Sequence, residues 1–303
     1  MKTESNMKFL DYQKAEGVNC SSFGYIDPDR DGCPLIWRAN EIGEGEPRKD
    51  SPALSFGRAF HAAILTPEEY AKEFVYLHEG IQHDLFQEAL ATGSKAKKFS
   101  RSLSTYKVWI AKQAEEGKTV LDLDQVERIG DMQDSLNRVQ SLRNFLAHDD
   151  LETELSLFAR LTDHRGNEVA CKGRVDALLP GDQCLDLKTV ASASPMALGQ
   201  FIPRFKIHVQ AAFYLDLLNA NAYDCDHFAF AFIDKRKPHP VTYWKTPDHL
   251  IDLGRREYKT FLGWIHDGRK TNHWPGHSAM IEFPGWFEKM CEELGLPAIT
   301  YQT

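Results

Sequence analysis

The chain has 303 residues, 42% hydrophobic and 26% charged, an ordinary globular composition that excludes a disordered, collagen-like or fibrous protein. Its formal charge of −8, from 36 Lys+Arg against 44 Asp+Glu, argues against holding nucleic acid by bulk positive charge. On charge alone, the balance points to a soluble enzyme acting on a small molecule.

Residues 1–50 are rich in Gly, Pro and Asp and read as an irregular N-terminal segment, with one short helix around Pro34–Asn40. This N-terminus carries no apolar secretory stretch, and no run in the chain approaches the roughly 18 apolar residues of a membrane helix. A cytoplasmic protein is therefore expected, away from the membrane. Asp27-Pro-Asp-Arg-Asp-Gly32 opens like a calcium loop, but the twelfth position, which needs a bidentate Glu, is Arg38. It reads as a turn.

From Ser51, an N-cap followed by Pro52, apolar residues at helical spacing predict a helix carrying His61, and Thr66-Pro-Glu-Glu predicts the start of a second. Ser94–Arg101 is basic through Lys95, Lys97, Lys98 and Arg101; it is either a solvated face or a loop touching an anionic ligand. Asp122–His148 repeats apolar residues every three or four positions, as one amphipathic helix would. The period then switches to two. Strands are predicted over Glu154–Arg160, Val169–Leu179 and Gln183–Thr189, joined by tight turns as an antiparallel meander. A helix around Pro203–Asn219 follows, then an apolar strand over His227–Ile233. A mostly helical tail from Asp248 carries Trp264, Trp274 and Trp286.

Cys20, Cys33, Cys171, Cys184, Cys225 and Cys291 lie far apart with no C-x-x-C pair, so they read as reduced thiols, with no zinc or iron–sulfur cluster. The chain has no G-x-x-x-x-G-K-[ST] loop, and no nucleotide cofactor is expected.

The chemistry concentrates in CKGRVDALLPGDQCLDLKTV and the HVQAAFYLDLL that follows. Asp186 and Lys188, two apart on a strand, point to one face, and Asp176 precedes them across a Pro-Gly turn. Two carboxylates beside an ammonium suit a hard cation such as Mg²⁺, which keeps waters for phosphate chemistry. Alone, Asp186 and Lys188 would read as a surface salt bridge; the flanking Leu185 and Leu187 and the upstream Asp176 weigh against that.

The ordered set His61, Asp176, Asp186-x-Lys188 and Gln210-x-x-x-Tyr214 resembles the RecB-type branch of the PD-(D/E)XK nuclease superfamily. With FGRAFHAAILTPEEY, GRVDALLP and DLKTV, the chain from about Ser51 onward is most similar to RecE-type (exonuclease VIII) phage exodeoxyribonucleases. The resemblance implies an α/β restriction-endonuclease-like α+β core: a central mixed sheet with an antiparallel meander, flanked by helices, with extra helical N- and C-terminal elements. Residues 51–303 would form a single nuclease domain.

The resemblance also assigns roles. Asp176 and Asp186 would ligate Mg²⁺, or Mn²⁺ in its place, with the Leu187 backbone carbonyl and His61. Lys188 would position or activate water; Gln210 and Tyr214 would orient the motif or contact DNA. A core histidine is the lesser rival reading for His61, and a core aromatic an equal one for Tyr214. Glu154 is assigned as a carboxylate reaching a second metal. Lys172, Arg174, Arg204 and Lys206 are candidates for DNA phosphates; surface charge is the rival for Lys172 and Arg174.

The expected activity is Mg²⁺-dependent hydrolysis of duplex DNA from an end, 5′→3′, leaving 3′ single strands for recombination by annealing. A single-strand annealing protein and a second copy of the chain are the expected partners. Two alternatives stand beside it: an endonuclease or CRISPR-linked trimming nuclease of the same branch, and a silent DNA-binding module. The net charge of −8 does not exclude DNA, since a channel needs positive charge locally.

Overall fold

Short-range pattern sets many elements of this chain, and side-chain caps start several of them. The computed structural model describes residues 2–4, 7, 9–46, 51–179, 181, 183–225, 227–277, 290 and 293. β1 (Lys2–Glu4) and α1 (Phe9–Lys14) precede two 3₁₀ turns, Cys20–Tyr25 and Pro28–Arg30. Their N-caps are Asn19, which accepts the Ser22 N–H, and Asp27, which accepts the Asp29 N–H. α2 (Pro34–Glu41) lies over the short helix expected there.

α3 (Pro52–Leu65) starts at the predicted Ser51 cap, with Pro52 in its first turn. α4 (Pro67–Glu73), β2 (Phe74–Tyr76), α5 (Glu79–Ala91), α6 (Ser104–Glu115) and β3 (Thr119–Leu121) follow. β2 and β3 pair in parallel beside a small satellite core around Leu77, Leu85 and Tyr106. The single helix expected over Asp122–His148 is two, α7 (Leu123–Arg138) and α8 (Gln140–Leu146). The break is at Val139, whose backbone turns extended (φ −85°, ψ 104°).

The predicted meander is present as β4 (Glu152–Thr162), β5 (Glu168–Leu179) and β6 (Gln183–Val190). Next come α9 (Pro195–Arg204) and α10 (Ile207–Ala220), where one helix around Pro203–Asn219 was expected. Ser194 and Pro195 start α9, and Lys206 in the left-handed region (φ 54°) separates the two. β7 (His227–Asp234) returns parallel to β6; β8 (Val241–Lys245) pairs antiparallel with β7 and was not foreseen. α11 (Asp248–Thr271) is the helical tail; Trp286 and Cys291 lie outside the described residues.

The result is a six-stranded mixed sheet in the order β1-β4-β5-β6-β7-β8, with helices on both faces. Phe228, Phe230 and Phe232 pack toward α10 and α11, while Ala229, Ala231 and Ile233 pack toward α3, α7 and α8. This is the α/β core with a mixed sheet that the sequence implied. Val18, Phe23, Ile26 and Trp37 from the N-terminal segment enter the main core. Among the described residues, no helix is long and apolar enough to cross a membrane.

Candidate active site

β5 and β6 pair only over Ala177–Leu185, Leu178–Cys184 and Leu179–Gln183, and then part. The next pair in register is Asp176 and Asp186, so the two carboxylates face each other where the sheet forks. The fork leaves the Leu187 N–H without a ladder partner on that side, and Asp176 Oδ2 accepts it at 2.8 Å. His61, on α3, brings its Nδ1 to 3.3 Å from the same oxygen. Alternation along β6 puts Asp186 and Lys188 on the α10 face, as the spacing predicted. Lys188 Nζ lies 2.5 Å from Asp186 Oδ1, and Gln210 Nε2 of α10 donates to Asp186 Oδ2, also at 2.5 Å.

Glu154 completes the cluster at a strained position. Thr153 pairs with Ala177 and Leu155 with Val175, which sets Glu154 opposite Asp176. Its backbone is left-handed (φ 52°) inside a strand, a conformation that costs a non-glycine residue about 1–3 kcal/mol and concentrates at functional sites. Arg174 Nε holds the Glu154 carboxylate at 2.5 Å. His61, Glu154 and Asp176 each offer a ligand atom within 4.8 Å of the other two.

Burial first, and then the facing Asp186, push the Asp176 carboxyl up to about 7. Burial alone would lower the Lys188 ammonium, but Asp186 and Asp176 outweigh it and hold Lys188 above the ordinary lysine range. The site is thus a crowd of three carboxylates, Asp186 buried and Glu154 and Asp176 half-buried, with one imidazole and fewer cations than acids. That donor set fits a hard divalent cation, because it would supply the charge that Asp176 otherwise draws from a proton.

The other predicted residues divide. The half-buried Tyr214 ring packs against Gly173, where an added Cβ would lie 3.0 Å from Tyr214 Cε1, and desolvation drives its hydroxyl well up. Tyr214 therefore packs at the edge of the main core, one helical turn from Gln210 on α10. Lys172, expected at phosphates, is buried and donates to the carbonyls of Tyr12, Gln13 and Ala15 at 3.0, 3.0 and 2.6 Å. These three carbonyls take up its donors. Arg174 is likewise turned inward, binding Glu154, the Met7 carbonyl at 2.8 Å and Ser156 Oγ at 3.1 Å. Lys206 pairs with Asp29 and Glu257 at 2.7 and 2.8 Å. Arg204 is exposed, over the Phe205 ring. Lys95, Lys97 and Lys98 are exposed, and Arg101 pairs with Asp122.

The sequence reading missed the contribution of the N-terminal segment. Val18 bridges Cys171 on β5, with Val18 N to Ala170 O at 2.9 Å and Lys172 N to Val18 O at 2.8 Å. It thereby covers the part of β5 that β6 leaves. Gly17 permits the approach: at φ +136° it lies where a Cβ would sit 3.0 Å from the Cys171 carbonyl carbon. Half-buried Cys20 and buried Tyr12 flank this path to the site, near enough for Cys20 to feel the charges of Lys188 and Asp186. No local motif announces such a long-range contact.

Residues 21–284 match the family described as a PDDEXK-like domain of unknown function (DUF3799), and the chain belongs to that family. The fold is similar to the crystal structure of a protein described as a "putative exonuclease" from Eubacterium rectale. The TM-score is 0.56 at 13% identity, over 96% of this chain and 98% of that one. A looser likeness is to the crystal structure of SSO0001, with TM-score 0.26 and 16% identity over 68% of this chain and 85% of that one. No curated protein matches the sequence.

Proposed function

We propose that this PDDEXK-like chain is a magnesium-dependent exodeoxyribonuclease of RecE type, hydrolysing phosphodiester bonds of duplex DNA from an end. On the same resemblance it digests 5′→3′, leaves 3′ single strands for an annealing protein, and works in the cytoplasm as a homo-oligomer; Mn²⁺ would substitute for Mg²⁺. The observation that carries this reading is the fork. Two strands part where Asp176 and Asp186 face each other, and His61, Glu154, Lys188 and Gln210 converge there from four further positions.

His61, Glu154, Asp176 and Asp186 would hold the ion, with the Leu187 carbonyl beside them. When bound, the ion supplies charge neutralisation at the phosphate and an acidified water. The protein's own groups do the positioning. Lys188, whose ammonium the neighbouring Asp186 and Asp176 favour, stands where it can orient or activate the incoming water or donate to the phosphate. Gln210 fixes one oxygen of Asp186, and Arg174 fixes Glu154. Leu187 N–H fixes Asp176, so the carboxylates are pre-oriented before substrate arrives.

The test is digestion of one duplex labelled separately on each strand, with Mg²⁺ and with EDTA, beside a covalently closed circle. Loss of label from 5′ ends of the linear duplex alone is expected. Equal cutting of the circle would make it an endonuclease, and preference for the 3′-ended strand would reverse the polarity. No Mg²⁺-dependent hydrolysis would leave a DNA-binding module.

A further inference from the structure

Among the described residues, one cationic corner of the fold holds no carboxylate paired with two of its charges. Lys235 follows β7, and its backbone N–H donates to the Val190 carbonyl at the end of β6 at 2.9 Å, just beyond Lys188. Two residues on, Lys237 pairs with Asp131 of α7 at 2.8 Å, so this segment runs alongside α7. There Arg128 of α7 lays its guanidinium 5.7 Å from the Phe56 ring of α3. Asp131 lies about one helical turn from Arg128 on α7, and burial and then the charge of Arg128 lower the half-buried Lys235 ammonium.

Their cationic neighbours are all engaged. Arg236 pairs with Asp234 at 2.7 Å, Lys237 with Asp131 at 2.8 Å, and Arg138 donates to Ser135 Oγ at 2.6 Å. Glu127 also faces Lys237. Among the described residues, Arg128 and Lys235 pair with no acid, in a chain where acids outnumber bases 44 to 36. Holding two like charges together, one half-buried, is unfavourable until an anion arrives.

α3 links this corner to the fork. Gly57 faces Thr189 of β6, and about one helical turn further, roughly 5.4 Å along the axis, His61 reaches Asp176.

We propose that Arg128 and Lys235 form a phosphate subsite that grips the substrate strand a few nucleotides from the scissile bond, on the α3 side of the sheet. The inference rests on the nuclease reading above. Arg128 offers a planar fork to two phosphate oxygens and Lys235 a point charge, a grip that reads backbone and not sequence. It supplies the local positive charge that Lys172, Arg174 and Lys206 do not.

The test is equilibrium binding of a fluorescent duplex, with Ca²⁺ in place of Mg²⁺, across a KCl series. The full-length wild type, R128Q, K235M, R128K and K237M are compared, each with matching circular dichroism. R128Q and K235M should each weaken binding by about three- to tenfold and flatten the slope of log K against log salt by about 0.7–0.9. R128K should recover most of the slope, and K237M, whose charge is already paired, should match wild type. R128Q and K235M binding with wild-type affinity and slope would overturn the subsite, as would a wild type that binds no DNA. A wild type that binds with the expected pattern but hydrolyses nothing in Mg²⁺ would refute the nuclease reading and leave the subsite standing.

Discussion

Replacing Gly254 by alanine tests whether the packing of α11 on α10 sets the site. Gly254 is buried, and a Cβ there would come 2.3 Å from the His208 carbonyl oxygen and 3.0 Å from Val209 Cα. Both obstacles are backbone, so relief requires the two helices to separate by about 1 Å. Overpacking of this kind costs about 1–3 kcal/mol or more, while alanine in a helix interior returns about 1 kcal/mol over glycine. The net loss expected for G254A is up to about 2 kcal/mol.

Gly263 on the same helix is the matched comparison. Its added Cβ would meet His164 Cε1 at 2.8 Å, the end of an exposed ring that can rotate aside. G263A should therefore be neutral, or stabilising by up to about 1 kcal/mol. Urea unfolding of both variants in EDTA, at equal m-values, measures the difference. Because Gln210 directly follows the obstructed Val209, the same displacement loosens its contact with Asp186. G254A, unlike G263A, should also lower turnover. Equal stability of the two variants would refute the packing argument.

Three further outcomes follow from the electrostatics. Asp176, raised to about 7, keeps in the folded metal-free chain a proton that the unfolded chain releases near pH 4 (about 3.9). The stability this gives is complete below about pH 4 and fades as pH rises through about 7; D176N lacks that slope, and parallel denaturation-versus-pH curves in EDTA would contradict it. Asp163 behaves oppositely. Burial would raise it, but hydrogen bonds from Asn167 and Arg165 hold it well below the usual carboxylate range. D163A should cost about 2–4 kcal/mol at neutral pH, and the cost should shrink as pH falls below about 4, where the unfolded wild-type chain takes up a proton that folded Asp163 still resists, checked by the same denaturation series. At the fork, K188M should lower DNA turnover about 10²–10⁴-fold, while D186N should abolish any rise in Tm on adding Mg²⁺. Wild-type turnover in K188M would remove Lys188 from the mechanism.

Local pattern was enough for much of this protein. Alternation gave the meander and placed Asp186 and Lys188 on one face, Ser51-Pro52 started α3, and helical spacing put Gln210 and Tyr214 on one side of α10. Such features depend on neighbours a few residues away, which is the range over which a sequence can be read directly. The same range explains the errors at Val139 and Lys206, where a continuous apolar period hid a break in the backbone.

What only the tertiary structure decided was which charges are free. Lys172 looked like a phosphate contact until carbonyls about 160 positions earlier proved to surround it. Arg174 proved to hold Glu154, 20 residues upstream, and Lys206 to bind Asp29 and Glu257. The fork itself depends on where β6 leaves β5 and on Val18 arriving from the N-terminal segment. A side chain's charge is written in the sequence, but its availability depends on whether folding brings a partner within about 3–4 Å, and that partner can lie anywhere along the chain.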